Sequence, residues 1–341
     1  MKTTRKLSLA VGAAAVALTP FAVAVGGRTE AAAGLNREAA EQTERSTRAV
    51  ERATASQPAA GRESYAYGWP IKPFRSQHPV RGFFGDPRIG NNGQTRQFHF
   101  GVDVSASNGT PVYATLTGTA SIHPLHPDVV LVSGASGLQF SYWHIVPTIR
   151  NGQRAVAYET VIGHIERPWA HVHFSEARGG VYLNPLRPGA MGPFVDTTKP
   201  FASKITTEVD GRIVSPRPGR SFELVAQLQD ETPLAVPRPW HDLPVMPALV
   251  RWRLLDGAGR TVVGWRTVID FRRTIPDASE FDRTWAPGVS QNHVRMPARY
   301  RVSLARSVDG LGSGPYTVEV AARDTRGNGS VTRVTIAVGN L

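Results

Sequence analysis

WAHVHFSE, residues 169–176, is the stretch whose reading decides what this chain is. Side chains at i and i+2 of a β-strand point to one face. His171 and His173 then share a face, while Val172 and Phe174 point into a core. Two other stretches repeat the pattern. In FHFGVDV (98–104), Phe98, Phe100, Val102 and Val104 are expected on an apolar face, with His99, Gly101 and Asp103 opposite. In SYWHI (141–145), Tyr142 and His144 are expected on one face, and Trp143 and Ile145 on the other. A lone strand histidine is ordinarily a surface or satisfied residue. Several imidazoles on one patch gain nothing from each other unless something binds them. Zn²⁺ accepts His nitrogen and Asp oxygen, and catalytic sites hold it by three protein ligands with a fourth position open. The candidates His99, Asp103, His144, His171 and His173 exceed three, which leaves groups for acid–base work beside a metal.

The rest of the chain bounds that reading. There are 341 residues, enough for more than one domain. There is no cysteine, so neither a disulfide nor a thiolate ligand is available. MKTTRK, an apolar run broken by Pro20, and Ala22-Val23-Ala24 together read as a secretory signal peptide over residues 1–24. The alternative is an uncleaved membrane anchor. The formal charge is +12, carried by arginine far more than lysine. An exported, basic protein is expected to meet polyanions such as cell-wall polymers or anionic headgroups. No Arg-rich helix or RNA-binding motif appears, so nucleic acid is not an expected partner. The oligomeric state is left open.

Residues 25–64 are rich in Ala, Glu and Arg and nearly free of large apolar residues, so they read as a flexible linker with transient helix. From residue 65 to about 200, short β-branched runs alternate with Gly, Pro, Asn and Asp, predicting an antiparallel β domain. Residues 201–341 read as a second, immunoglobulin- or fibronectin-like β-sandwich. There Phe222, Leu224, Ala226 and Leu228 share a face, as do Val250, Trp252 and Leu254, with Arg251 and Arg253 opposite. Trp252 is a candidate core tryptophan and Tyr316 a candidate tyrosine corner. The fold class is therefore all-β throughout.

The motifs also resemble a family. HFGVD is an H-x-x-x-D motif, HVH an H-x-H motif, and YWHI lies between them. FGDPR (84–88), GTPVYATLTG (109–118), VIG (161–163) and Asn184-Pro185 stand in matching order. Over roughly residues 80–190 this resembles the lysostaphin/LytM-type zinc metallo-endopeptidases, metallopeptidase family twenty-three. The resemblance implies a sheet of the duplicated hybrid motif type, with zinc on His99, Asp103 and His173. It makes His144 and His171 the catalytic histidines, without saying which is acid and which base. It implies a secreted or wall-associated hydrolase of bacterial peptidoglycan. The approach to H-x-H departs from the family's Gly-rich pattern: Glu166, Arg167, Pro168 and Trp169 make that loop bulkier. A zinc-containing but non-catalytic wall-binding or regulatory module is the alternative. Tyr142 is a candidate support for His144, or plain packing. His123, His126 and His164 are expected in loops or on the surface, with His164 nearest the cleft. His78, His241 and His293 are expected to be structural or exposed.

Overall fold

The protein is represented by a computed structural model that describes residues 64–90, 95–293 and 296–339. The signal-peptide expectation and all but the last residue of the linker lie outside the described residues. Within them the chain is nearly all β, with antiparallel sheets. Among the described residues no helix is long and apolar enough to cross a membrane.

An eight-stranded sheet organises residues 80–183. Its path runs Val80–Gly82, Val102–Ser105, His171–Arg178, Leu138–Trp143, His126–Ser133, Gly118–His123 and Gln153–Ala155, and Val181–Leu183 also pairs with His171–Arg178. The WAHVHFSE strand is thus interior, held on both edges. Its register sets His173 beside Asp103 on one neighbour and Trp143 on the other. Phe174 lies between Val102 and Tyr142 in the same way. Strands buried on both faces favour β-branched and aromatic residues, as DVVLVS and HVHF supply.

One face of this sheet is core. Val172, Phe174, Phe140 and Tyr142 are fully buried there, and Tyr67 packs its ring 4.6 Å from Phe140. Glu176 ends the quoted stretch on this buried side. Arg187 grips its carboxylate with two hydrogen bonds of 2.6 and 2.7 Å, and the Tyr67 hydroxyl donates a third. A buried carboxylate needs such partners, because isolated burial of its charge is strongly unfavourable.

The continuous alternation read from the sequence fails at two places. The strand Thr95–Phe98 ends before His99, and the next begins at Val102. Across that break Phe100 leaves the apolar face and lies against His173, with ring centroids 4.7 Å apart. At His144 the backbone turns left-handed, with φ of +64°. Tyr142 therefore stays in the core, bonded through its hydroxyl to Thr115, and does not share a face with His144. Trp143 takes the histidine face instead.

Residues 201–338 form two four-stranded sheets. One runs Arg212–Ile213, Phe201–Val209, Phe222–Gln229, Tyr300–Val308, and the other Thr261–Asp270, Leu249–Asp256, Gly314–Arg323, Gly329–Val338. Phe222, Leu224, Ala226 and Leu228 are buried as expected, as are Val250, Trp252 and Leu254. Arg251 is exposed and Arg253 pairs with Glu319 at 2.6 Å. The Tyr316 hydroxyl donates to the Gly312 carbonyl, four residues upstream, at 3.2 Å.

The apolar core is continuous between these sheets and the first. Phe98 packs against Phe271, Phe281 and Trp285, at 5.5, 5.4 and 6.5 Å. Gly85, at φ +90°, lets the Phe271 ring approach to where a Cβ would collide at 2.2 Å. Asn184 accepts from Leu186 and donates through its backbone to Arg273 and through its side chain to Phe271.

Three buried carboxylates, Asp196, Asp230 and Asp324, also meet at this junction. Burial raises Asp230 to about 7 and Asp196 to about 6, and raises Asp324 as well. A carboxyl raised on folding contributes stability below its unfolded value, and that contribution is lost as pH rises through the folded value. We predict that Asp230→Asn gains stability relative to wild type between pH 5 and pH 8, by at least ~1 kcal/mol at pH 8. Denaturant melts at the two pH values check this, and a pH-independent difference would count against it.

Candidate metal centre

Three elements carry the site. His171 and His173 sit on the interior strand, Asp103 on its neighbour, and His99 on the short link before that neighbour. All four side chains are buried. His99 Nδ1 lies 2.8 Å from the Phe83 carbonyl, which only accepts, so Nδ1 carries the proton and Nε2 offers a lone pair. That Nε2 is 2.7 Å from His173 Nδ1 and 3.1 Å from Asp103 Oδ1. His173 Nδ1 is also 3.1 Å from Asp103 Oδ1, and its Nε2 meets Ser175 Oγ at 2.9 Å. Three electron-pair donors thus converge on one point. A proton satisfies one pair of them; a divalent cation satisfies all three.

The electrostatics suit a cation. Burial pulls His99 down to about 3, with the nearby positive Arg88 adding to the effect, and burial lowers His173 too. Both are neutral imidazoles at neutral pH, the form that binds metal. Burial alone would raise the Asp103 carboxyl, but the adjoining histidines and Arg88 outweigh it and hold it well below the usual carboxylate range. Arg88 donates to Asp103 Oδ2 at 2.7 Å and stands 3.7 Å from Asp86, leaving Oδ1 for the cluster. These second contacts orient the donors, as outer partners do at metal sites. The set His99, Asp103, His173 has the His and carboxylate chemistry that zinc accepts.

His171 and His144 complete the rim. His171 Nε2 is 3.5 Å from Asp103 Oδ1. His144 stacks on Trp169, with centroids 4.1 Å apart and planes 19° apart, and its ring lies 4.9 Å from that of His171. Asp128 Oδ2 stands 3.5 Å from His144 Nδ1. Burial lowers His144 to about 3, and the neighbouring histidines add to the shift. The structure therefore brings all five sequence candidates into one cluster.

Other histidines fall differently. His123 and His126 pack over Trp143, which separates them from His173. His164 lies on the three-stranded sheet paired with Val146 and Pro111, and among the described residues no ring contact or hydrogen bond joins it to the cluster. His78 is buried against Trp69, and His293 is exposed. Sequence reasoning passed over Ser175, although it continues the alternation of His171 and His173. It also passed over Arg81, whose side chain touches His171, and Arg88, which FGDPR contains.

Fold and site together define an all-β chain with a buried His-Asp-His cluster, a candidate ligand set, on the polar face of an antiparallel sheet. No family model and no curated protein matches the chain. Solved structures are similar to part of it. A crystal structure of the SpoIIIAH and SpoIIQ complex matches at 23% identity and a TM-score of 0.30, covering 36% of this chain and 98% of that one. A zinc containing peptidase from Vibrio cholerae matches at 19% identity and 0.31, covering 37% and 41%. LytU matches at 23% identity and 0.26, covering 33% and 86%. At these values the likeness stands as a similarity alone, and the reading of the site rests on its own geometry.

Gly101 gives a test of that geometry. A Cβ there would meet the Phe174 carbonyl at 2.4 Å and His173 Nε2 at 2.8 Å. We predict that Gly101→Ala displaces His173 and weakens zinc binding by about 10–100-fold, the usual cost of disturbing a ligand's support. Competition with a chromophoric chelator measures it; unchanged affinity would mean that His173 is not a ligand.

Proposed function

We propose that this chain is an exported zinc endopeptidase that hydrolyses peptide bonds in bacterial peptidoglycan. The observation that carries the reading is the convergence of His99 Nε2, Asp103 Oδ1 and His173 Nδ1, with two further histidines beside them that no ligand set of three requires. His99, Asp103 and His173 hold the zinc. When bound, the metal supplies a Lewis acid that polarises a carbonyl and lowers the pKa of a water toward ~7. His144 and His171 lie side by side at this centre, one to take the water's proton and the other to steady the carbonyl oxygen or the departing amine. The water's oxygen joins the carbonyl carbon, the C–N bond breaks, and a proton passes to the departing amine nitrogen. Trp169, from the bulky 166–169 loop, stacks on His144 and borders this centre.

The substrate class follows from the motif resemblance, the signal-peptide reading and the basic charge, which suits an anionic wall. We read the chain as two β units, 65–200 and 201–341. The second is an immunoglobulin- or fibronectin-like sandwich, and the Tyr316 hydroxyl bond to Gly312 supports that reading.

A second reading has one observation in its favour. His171 Nε2 lies close enough to the ligand set to close the metal as a fourth ligand, which would make the zinc structural and the protein a wall-binding or regulatory module.

Metal content and hydrolysis, measured together on purified chain with purified peptidoglycan, separate the two. We expect one zinc per chain and new peptide ends by mass. Asp103→Ala is expected to lose the zinc, and His144→Ala to keep it while turnover falls at least about 100-fold. One zinc without cleavage of any wall type supports the module. No zinc after the metal is supplied removes both readings.

A further inference from the structure

Arg81 lies on the edge strand Val80–Gly82, beside the ligand set but outside it. Among the described residues no carboxylate pairs with it. Its Nη2 instead donates to two acceptors: the Trp169 carbonyl at 2.9 Å and His171 Nδ1 at 2.6 Å. The other face of the guanidinium is covered by the Trp240 ring, at 4.2 Å, from the connection between Phe222–Gln229 and Leu249–Asp256. An arginine stacked on an indole and bonded on its edge is held against rotation.

This contact decides how His171 is protonated. A guanidinium nitrogen has only hydrogens to offer. At 2.6 Å, a proton on His171 Nδ1 would oppose a proton on Arg81 Nη2. The Trp169 carbonyl, 2.8 Å from the same Nδ1, would also accept that proton, but it already accepts from Arg81, and the charged donor stands closer to Nδ1 and outweighs it. A neutral His171 must then carry its hydrogen on Nε2. That atom faces the ligand set, 3.5 Å from Asp103 Oδ1. The choice is made on the side of the ring away from the metal, so it does not depend on the metal being bound.

His144 is arranged oppositely. Its Nδ1 makes no hydrogen bond, but the carboxylate of Asp128 stands 3.5 Å away, so its negative charge favours the proton on Nδ1 and leaves Nε2 with a lone pair. The two histidines, 4.9 Å apart, therefore differ in kind: one presents an N–H and the other a lone pair. We infer that Arg81 is a positioning residue that fixes His171 as a hydrogen-bond donor through Nε2, and so assigns His144 as the acceptor of the attacking water's proton. The inference rests on the zinc peptidase reading for its catalytic meaning. Under it, His171 donates to the carbonyl oxygen as negative charge builds there. The water's proton moves to His144 Nε2, its oxygen bonds to the carbonyl carbon, and His144 returns the proton to the amine nitrogen as the C–N bond breaks. Trp240 gives residues beyond 200 a part in this, since it holds the arginine in place.

The test reads the tautomer directly. Long-range ¹H–¹⁵N correlation spectra of the full ¹⁵N-labelled chain, with and without zinc, resolve which His171 nitrogen bears hydrogen; His171→Asn identifies the signals. Wild type is expected to show Nε2–H and an accepting Nδ1. Arg81→Met should switch the ring to Nδ1–H bonded to the Trp169 carbonyl, with zinc content unchanged. Arg81→Lys, which keeps a donor, should retain Nε2–H. In hydrolysis, Arg81→Met should lower kcat about 10–100-fold with KM nearly unchanged, and Arg81→Lys should recover most of that loss. A wild-type His171 protonated on Nδ1, or a tautomer indifferent to Arg81→Met, overturns the inference. If the tautomer behaves as expected and no peptide bond is cut, the positioning stands and the peptidase reading fails.

Discussion

Everything at the site depends on one strand pairing. His171–Arg178 runs antiparallel between two neighbours, and its register sets His173 directly beside Asp103. A slip of one residue would send both histidines into the core and bring Val172 and Phe174 out. The register is held from the other face, where Phe174 packs with Tyr142, Phe140 and Tyr67. Aromatic packing on the buried side thus fixes the position of ligands on the polar side. The strand's one carboxylate, Glu176, pairs with Arg187 rather than with the site.

The polar face is built by opposing requirements. Three donors crowd within about 3 Å of one another, and neighbours around them settle where each proton lies. The Phe83 carbonyl accepts a hydrogen bond from His99 Nδ1, Arg88 occupies one oxygen of Asp103, and Arg81 occupies one nitrogen of His171. The chemistry inferred for the centre comes as much from these outer contacts as from the ligands. All three are made by residues of the 80–88 stretch, which leaves the edge strand Val80–Gly82 beside the site.

Much of this was legible in the sequence. The all-β class came from short β-branched runs and turn residues, and the five candidate groups came from polar alternation. Two faces were misread for one reason. Parity counts along a strand only while the strand continues, and here it stops at 99–101 and turns left-handed at His144. Phe100 and Trp143 consequently line the histidine face, and Tyr142 belongs to the core. His99 and Asp103 still meet, but through the link between two strands rather than along one. Arg81 and Trp240 were not legible at all. They touch across a long separation in sequence, and neither periodicity nor local spacing signals such a contact.

The seam between the sheets limits how far either part can change alone. Phe98 is buried among Phe271, Phe281 and Trp285, Gly85 is shaped to the ring of Phe271, and Asn184 is bonded to the backbone of residues 271 and 273. A unit joined only by a linker can be exchanged between proteins with little loss. A unit whose aromatic side chains complete its neighbour's core cannot. These two parts share one core, and a substitution at Phe271 is felt by both.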